Sequence, residues 1–120
     1  MRTYEDDVVA WANEQARLLR TGRFDLLDIE HIAEEIEDVG KSEQRELANR
    51  MAVLLTHLLK WHYQPERRGA SWESMIRALR RALARRLEKT PSLHGTIADP
   101  VWWEDPWLDA RTGKFCAWEH

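Results

Sequence analysis

Helix breakers are scarce in this chain. Its 120 residues include only five glycines and four prolines, and most of the prolines lie late. Long stretches without breakers favour helix. No β alternation of useful length, no low-complexity tract and no convincing repeat is present. No apolar run reaches the roughly 18 residues that a spanning helix needs, so no membrane segment is expected. The opening Met1-Arg2-Thr3-Tyr4-Glu5-Asp6-Asp7 lacks the apolar stretch of a secretion signal. The single Cys116 excludes an internal disulfide and fits a reducing compartment, so the chain reads as cytoplasmic. Cys116 itself reads as structural or incidental.

Catalytic signatures are also missing. There is no nucleophile elbow, no Gly-rich phosphate loop and no zinc-protease histidine pair. The sequence therefore leans away from an enzyme, and no cofactor is expected.

What is present is charge, unevenly placed. Residues 1–40 hold 4 Lys/Arg against 11 Asp/Glu, a balance of −7. Residues 41–90 hold 12 against 5, a balance of +7, and residues 91–120 hold 2 against 5, a balance of −3. An acidic head and tail could neutralise the basic middle or leave opposite faces for partners.

Periodicity predicts four main helices. Thr3, with Asp6 three residues on, reads as the cap of the first, whose helical spacing runs through Tyr4, Val8, Trp11, Gln15 as one polar break, and Leu18 or Leu19 to a stop at Gly22. Asp28 reads as the cap of the second, with Leu27 and Ile32 as a hydrophobic staple. Ile29, Ile32, Ala33, Ile36 and Val39 form its stripe, and Gly40 reads as its end. The third runs from about Ser42 to His62 or Tyr63, with Leu47, Met51, Leu54, Leu58 and Trp61 as a seam; Pro65 forces the break. Ser71 reads as the cap of the fourth, which continues to about Glu88 with Trp72, Met75, Ile76, Leu79, Leu83 and Leu87 buried. In the tail, Asp99-Pro100 and Asp105-Pro106 each read as an Asp cap before a short helical turn. The tail tryptophans, Trp102, Trp103, Trp107 and Trp118, are expected to cover the open end of the core. The expected fold is a single all-α domain over 1–120, an antiparallel bundle of four main helices with short C-terminal helical turns.

Several runs together resemble one bacterial family. They are Trp11, Glu14-Gln15-Ala16, Leu18-Leu19-Arg20, the stretch Ile29 to Glu37, Gly40-Lys41-Ser42-Glu43, His57-Leu58-Leu59-Lys60-Trp61, Tyr63 to Arg68, Ser71-Trp72 and Pro91-Ser92-Leu93. Over about residues 4–93 the chain resembles the Domain of Unknown Function 29 family, common in cyanobacteria. The resemblance implies a small all-α domain and implies no known activity. The chain departs from the family pattern at His62, where Gln is frequent. It departs again after Leu93, where the family runs into a longer helical segment and residues 94–120 form a divergent Trp-rich tail.

The stretch from His57 to Trp72 carries the densest chemistry. A connector needs a proline, a glycine and a cap; Gln64, Arg67 and Arg68 exceed that need. Lys60, Gln64, Glu66, Arg67, Arg68 and Ser71 are therefore the expected recognition surface, held by rigid helices. The alternative is that these side chains tie the loop to neighbouring helix ends. Glu34, Glu35 and Glu37 are the expected acidic counterface, contacting Arg67, Arg68 or an arginine of the fourth helix. A metal site is not expected. Glu30, Glu34 and Glu37 share a helix side, but His57 and His62 are five positions apart, about 140° around a helix. Only Asp28-x-x-His31 approaches a dimetal spacing.

The first functional reading is a macromolecular interaction module, with another protein as partner. The alternative is a nucleic-acid-associated regulator using Arg77, Arg80, Arg81 and Arg85 of the basic helix 71–89. A metal-dependent enzyme comes third.

Overall fold

The computed structural model describes residues 3–113. Cys116, Trp118 and His120 lie outside the described residues. Every regular element among the described residues is helical. None of their helices is long and apolar enough to cross a membrane. The chain divides into two compact units, Met1–Lys41 and Ser42–His120.

The first unit holds helix α1, Val8–Arg20. Asp7, not Thr3, caps it: the Asp7 carboxylate accepts from Ala10 N–H at 3.0 Å. An acid at this position also suits the helix dipole, whereas Thr3 closes a preceding turn through its carbonyl. Trp11, Gln15 and Leu18 are buried at four-three spacing. The helix stops where expected. Gly22 has φ 74°, and its N–H donates to the Leu19 carbonyl while Arg23 N–H donates to that of Leu18. This is the paired closure that favours glycine one residue past the cap.

The second helix departs from expectation. α2 runs unbroken from Ile29 to Tyr63, 35 residues, so the expected second and third helices are one. Gly40 lies inside it, and its φ is not positive. A glycine ends a helix only when the chain reverses there, and no proline follows to force that. Staying helical costs about 1 kcal/mol relative to alanine, which the good helix formers on both sides outweigh. The four main helices therefore become three. The stripe of its first half is only partly covered: Ile32 is half-buried, while Ile29, Ile36 and Val39 are exposed.

In the second unit, α2 pairs with α3, Ala70–Lys89, across a 3-10 turn at Pro65–Arg67. The pair is antiparallel. Trp61 meets Trp72 edge to face beside the turn, with ring centroids 5.5 Å apart, and Arg86 meets Glu43 at the far end at 2.8 Å. Leu47, Met51 and Leu54 of α2 form one core with Ile76, Leu83 and Leu93. Leu58 is half-buried and packs against it.

The start of α3 also differs by a small shift. Gly69 is the cap residue, so Ser71 sits in the first turn and caps nothing. Arg68 and Gly69 are both extended, and the chain first turns helical at Ala70.

After α3 come α4, Leu93–Ile97, a 3-10 turn at Pro100–Trp103, and α5, Glu104–Thr112. Asp99 caps its turn as expected, accepting from Val101 N–H at 3.0 Å. Asp105 does not cap α5. Trp103 is already helical at φ −70°, ψ −16°, so the helix runs straight on from the turn before it. Trp102 and Trp103 pack against the core, and Trp103 Nε1–H donates to the Ile97 carbonyl at 2.8 Å. Trp107 remains substantially exposed.

Candidate functional site

The end of α2 and the start of α3 enclose a pocket. Approaching it, Thr56 is fully buried and satisfies its hydroxyl by donating to the Ala52 carbonyl at 2.8 Å. His57, Lys60 and Gln64 follow at three- and four-residue spacing, which sets them on one side of the chain. Pro65 then diverts the backbone, and Gln64 leaves the helical region at φ −129°, ψ 61°. Arg67 comes from the turn; Ser71, Trp72 and Met75 come from the first turns of α3. These seven residues line a cavity of about 340 Å³.

Its electrostatics are one-sided. Among the described residues the lining has Lys60 and Arg67 and no carboxylate. Lys60 is buried, at 6% exposure, so its charge sits where solvent screens it poorly. Burial, and then the nearby Lys60 charge, push the His57 pKa below its ordinary value, which keeps the ring neutral at pH 7. No side chain caps α3, so its first turn presents backbone N–H groups and the positive end of the helix dipole.

Two buried polar atoms of lining residues have no hydrogen-bond partner among the described residues: the acceptor Gln64 Oε1 and the donor Trp72 Nε1. Buried polar groups are nearly always paired, and an orphan costs about 1–3 kcal/mol. Here the orphan donor and the orphan acceptor belong to two residues that line the same cavity.

Lys60, Gln64, Arg67 and Ser71 of the expected surface are thus brought together. Glu66 and Arg68 are not part of the lining. Arg68 turns back instead: its Nε–H donates to the Trp61 carbonyl at 2.8 Å, and its guanidinium lies 5.3 Å from the Trp61 ring centroid. Sequence reasoning overlooked His57, Trp72 and Met75 as members of this site. The helical spacing of 57, 60 and 64, and of 71, 72 and 75, was the available signal. His62 lies apart from His57, exposed and edge to face with Tyr63 at 4.7 Å.

The acidic residues divide. Glu34 and Glu37 are exposed in the first unit, and Glu35 accepts a hydrogen bond from the Tyr4 hydroxyl. On the basic helix, Arg86 pairs with Glu43 at 2.8 Å and Arg77 with Glu73 at 2.5 Å. Arg80, Arg81 and Arg85 are exposed.

The first unit contains a separate polar cluster. Asp28 Oδ2 accepts from Trp11 Nε1–H at 2.9 Å and from His31 Nδ1–H at 2.7 Å. Asp28 N–H donates to Gln15 Oε1 at 2.8 Å, which explains why a glutamine is buried there. Glu5 lies 3.2 Å from His31 Nε2. The Asp28 bond raises the His31 pKa, and the same bond lowers that of Asp28. The Glu35 bond pushes the Tyr4 phenol up to about 12. These groups are mutually satisfied, so the cluster acts as a clasp between α1 and the start of α2.

The chain matches no curated protein and no solved structure. A family model matches residues 3–114, which takes in both clusters and the tryptophans of the α4–α5 region, and the chain belongs to the family described as Domain of unknown function DUF29.

Proposed function

We propose that this protein is an interaction module that binds an extended segment of another protein at the α2–α3 pocket. The observation that carries the reading is the orphan pair, Gln64 Oε1 and Trp72 Nε1, on two residues that line one cavity. An extended peptide backbone offers the complementary pair, an N–H for the glutamine oxygen and a carbonyl for the indole N–H. Met75 and the Trp72 ring supply apolar surface beside them. The site is small, and a rigid helix pair holds it.

The test is capture of a partner by the native chain against a Gln64→Met, Trp72→Phe double variant. Each change removes the polar atom; methionine keeps the length of the glutamine, and phenylalanine keeps an aromatic ring at position 72. Capture that depends on both positions supports the reading, and capture indifferent to them overturns it.

The second reading, nucleic acid along α3, draws on the exposure of Arg80, Arg81 and Arg85. It predicts binding that falls steeply with salt and survives changes in the pocket.

A further inference from the structure

The first unit leaves one helix face uncovered. Ile29, Ala33, Ile36 and Gly40 follow one another at four-three spacing along the first half of α2, so they form one stripe about 16 Å long. All four are exposed, Ile29 and Ile36 by 66% and 67%, and the equally exposed Val39 widens the stripe. A lone exposed isoleucine needs no explanation, but apolar side chains aligned on one face mark an interaction surface. We propose that this face docks a basic amphipathic helix of another protein. The surface lies within the first unit and shares no residue with the α2–α3 pocket.

Three observations select that occupant. The first is the spacing, which is that of the seam between two paired helices. The second is Gly40, which has no explanation inside the chain. A glycine within a helix weakens it relative to alanine, and a Cβ built there meets nothing within 4 Å. Against a partner helix the missing side chain lets the two backbones approach closely, and it continues the alternation of large and small along Ile29, Ala33, Ile36 and Gly40.

The third is charge. Glu30, Glu34 and Glu37 run along one border of the stripe at the same four-three spacing. All three are exposed, and no ion pair holds any of them among the described residues. A partner with Lys or Arg beside its apolar seam pairs with that row as the borders of a coiled coil do. A second copy does not suit the face. Laid antiparallel, it sets the acidic row against itself, and residues 1–40 of any copy carry the same balance of −7.

The test uses the full chain labelled with ¹⁵N and synthetic peptides of about four helical turns, roughly 14 residues. One peptide has a seam of Leu and Ala bordered by Lys. The second has Glu in place of every Lys, and the third has the composition of the first in shuffled order. The Lys peptide should shift the backbone amides from Ile29 to Gly40 saturably. The Glu peptide should bind at least about tenfold more weakly, and the shuffled one should not saturate. Ile36→Gln should abolish binding and leave the Tm unchanged, since the side chain is exposed. Gly40→Leu adds apolar surface, which strengthens a merely adhesive patch and weakens a close helix pair; weakening is expected here.

Equal binding of the Lys and Glu peptides overturns the proposal. So does saturable binding of the shuffled peptide, a set of shifts confined to other residues, or tighter binding by the Gly40→Leu chain. A Tm lowered by Ile36→Gln would show that the chain covers this face itself. Sedimentation as a dimer that Ile36→Gln dissociates would show a second copy on it. Either result removes the basic helix.

Discussion

Tyr4 stacks on His31, with ring centroids 4.2 Å apart and ring planes 12° from parallel. The contact joins the residues before α1 to the first turn of α2, and the Asp28–His31 bond lies at its centre. That bond has a pH consequence. The folded pKa of His31 is raised, so its contribution is complete below the unfolded value of about 6.5 and is lost as pH rises through the folded value. The folded pKa of Asp28 is lowered, so its contribution is complete above about 3.9 and is lost as pH falls through the folded value. The clasp should therefore be firmest between those limits. In an NMR titration, Asp28→Asn should bring the His31 pKa down toward its ordinary value. An unchanged titration would show that Asp28 does not hold the ring.

Gly40 and Gly22 show why only part of the fold was legible in the sequence. Both look like stops. Gly22 adopts φ 74° because Arg23 and the apolar turn after it fold back, and Gly40 stays helical because nothing beyond it requires a reversal. Composition does not record that difference; the conformation of the following residues does. The Leu47, Met51 and Leu54 seam was readable because each buries one side of a long, regular helix. The pocket was half readable. Chemistry in excess of a connector's needs pointed to Lys60, Gln64, Arg67 and Ser71. His57, Trp72 and Met75 were not readable as neighbours, because facing residues across a turn are set by the antiparallel pairing. Arg68 could not be separated from Arg67 at all, since adjacent arginines differ only in the direction the backbone sends them.

Replacing Gly40 with Ala should stabilise the protein. Gly40 is exposed within α2, and an added Cβ meets nothing within 4 Å. The expected gain is about 0.5–1 kcal/mol, from backbone freedom removed in the unfolded chain. Urea denaturation followed by helical circular dichroism measures it. A loss of stability instead would mean that the helix bends at Gly40.

Arg68 should prove to be a tie for the turn. Its bond to the Trp61 carbonyl satisfies one of the carbonyls that a helix end leaves without a partner. Its position over the Trp61 ring adds a cation–π contact. Because the side chain is exposed, Arg68→Ala should cost only about 1 kcal/mol, seen as a lowered Tm. Lysine should restore little, since it lacks the Nε–H and the flat surface. A variant with unchanged Tm but lost partner capture would move Arg68 from tie to binding residue.

Gln64 should show the opposite pattern. Its buried Oε1 has no partner, so the folded chain carries the cost of removing that atom from water without the bond that offsets it. Methionine keeps the length of the side chain and removes the acceptor. Gln64→Met should therefore raise stability, by about 1 kcal/mol, while weakening partner capture. A residue kept only for packing would lose stability on this change, and a residue without any role would leave both quantities alone. Only a site that awaits a donor from another molecule gains stability and loses binding together. Thermal denaturation and capture, measured on the same preparation, decide between these outcomes. If Gln64→Met lowers the Tm, the glutamine oxygen is satisfied within the folded chain, and the pocket loses the feature that marks it as a recognition site.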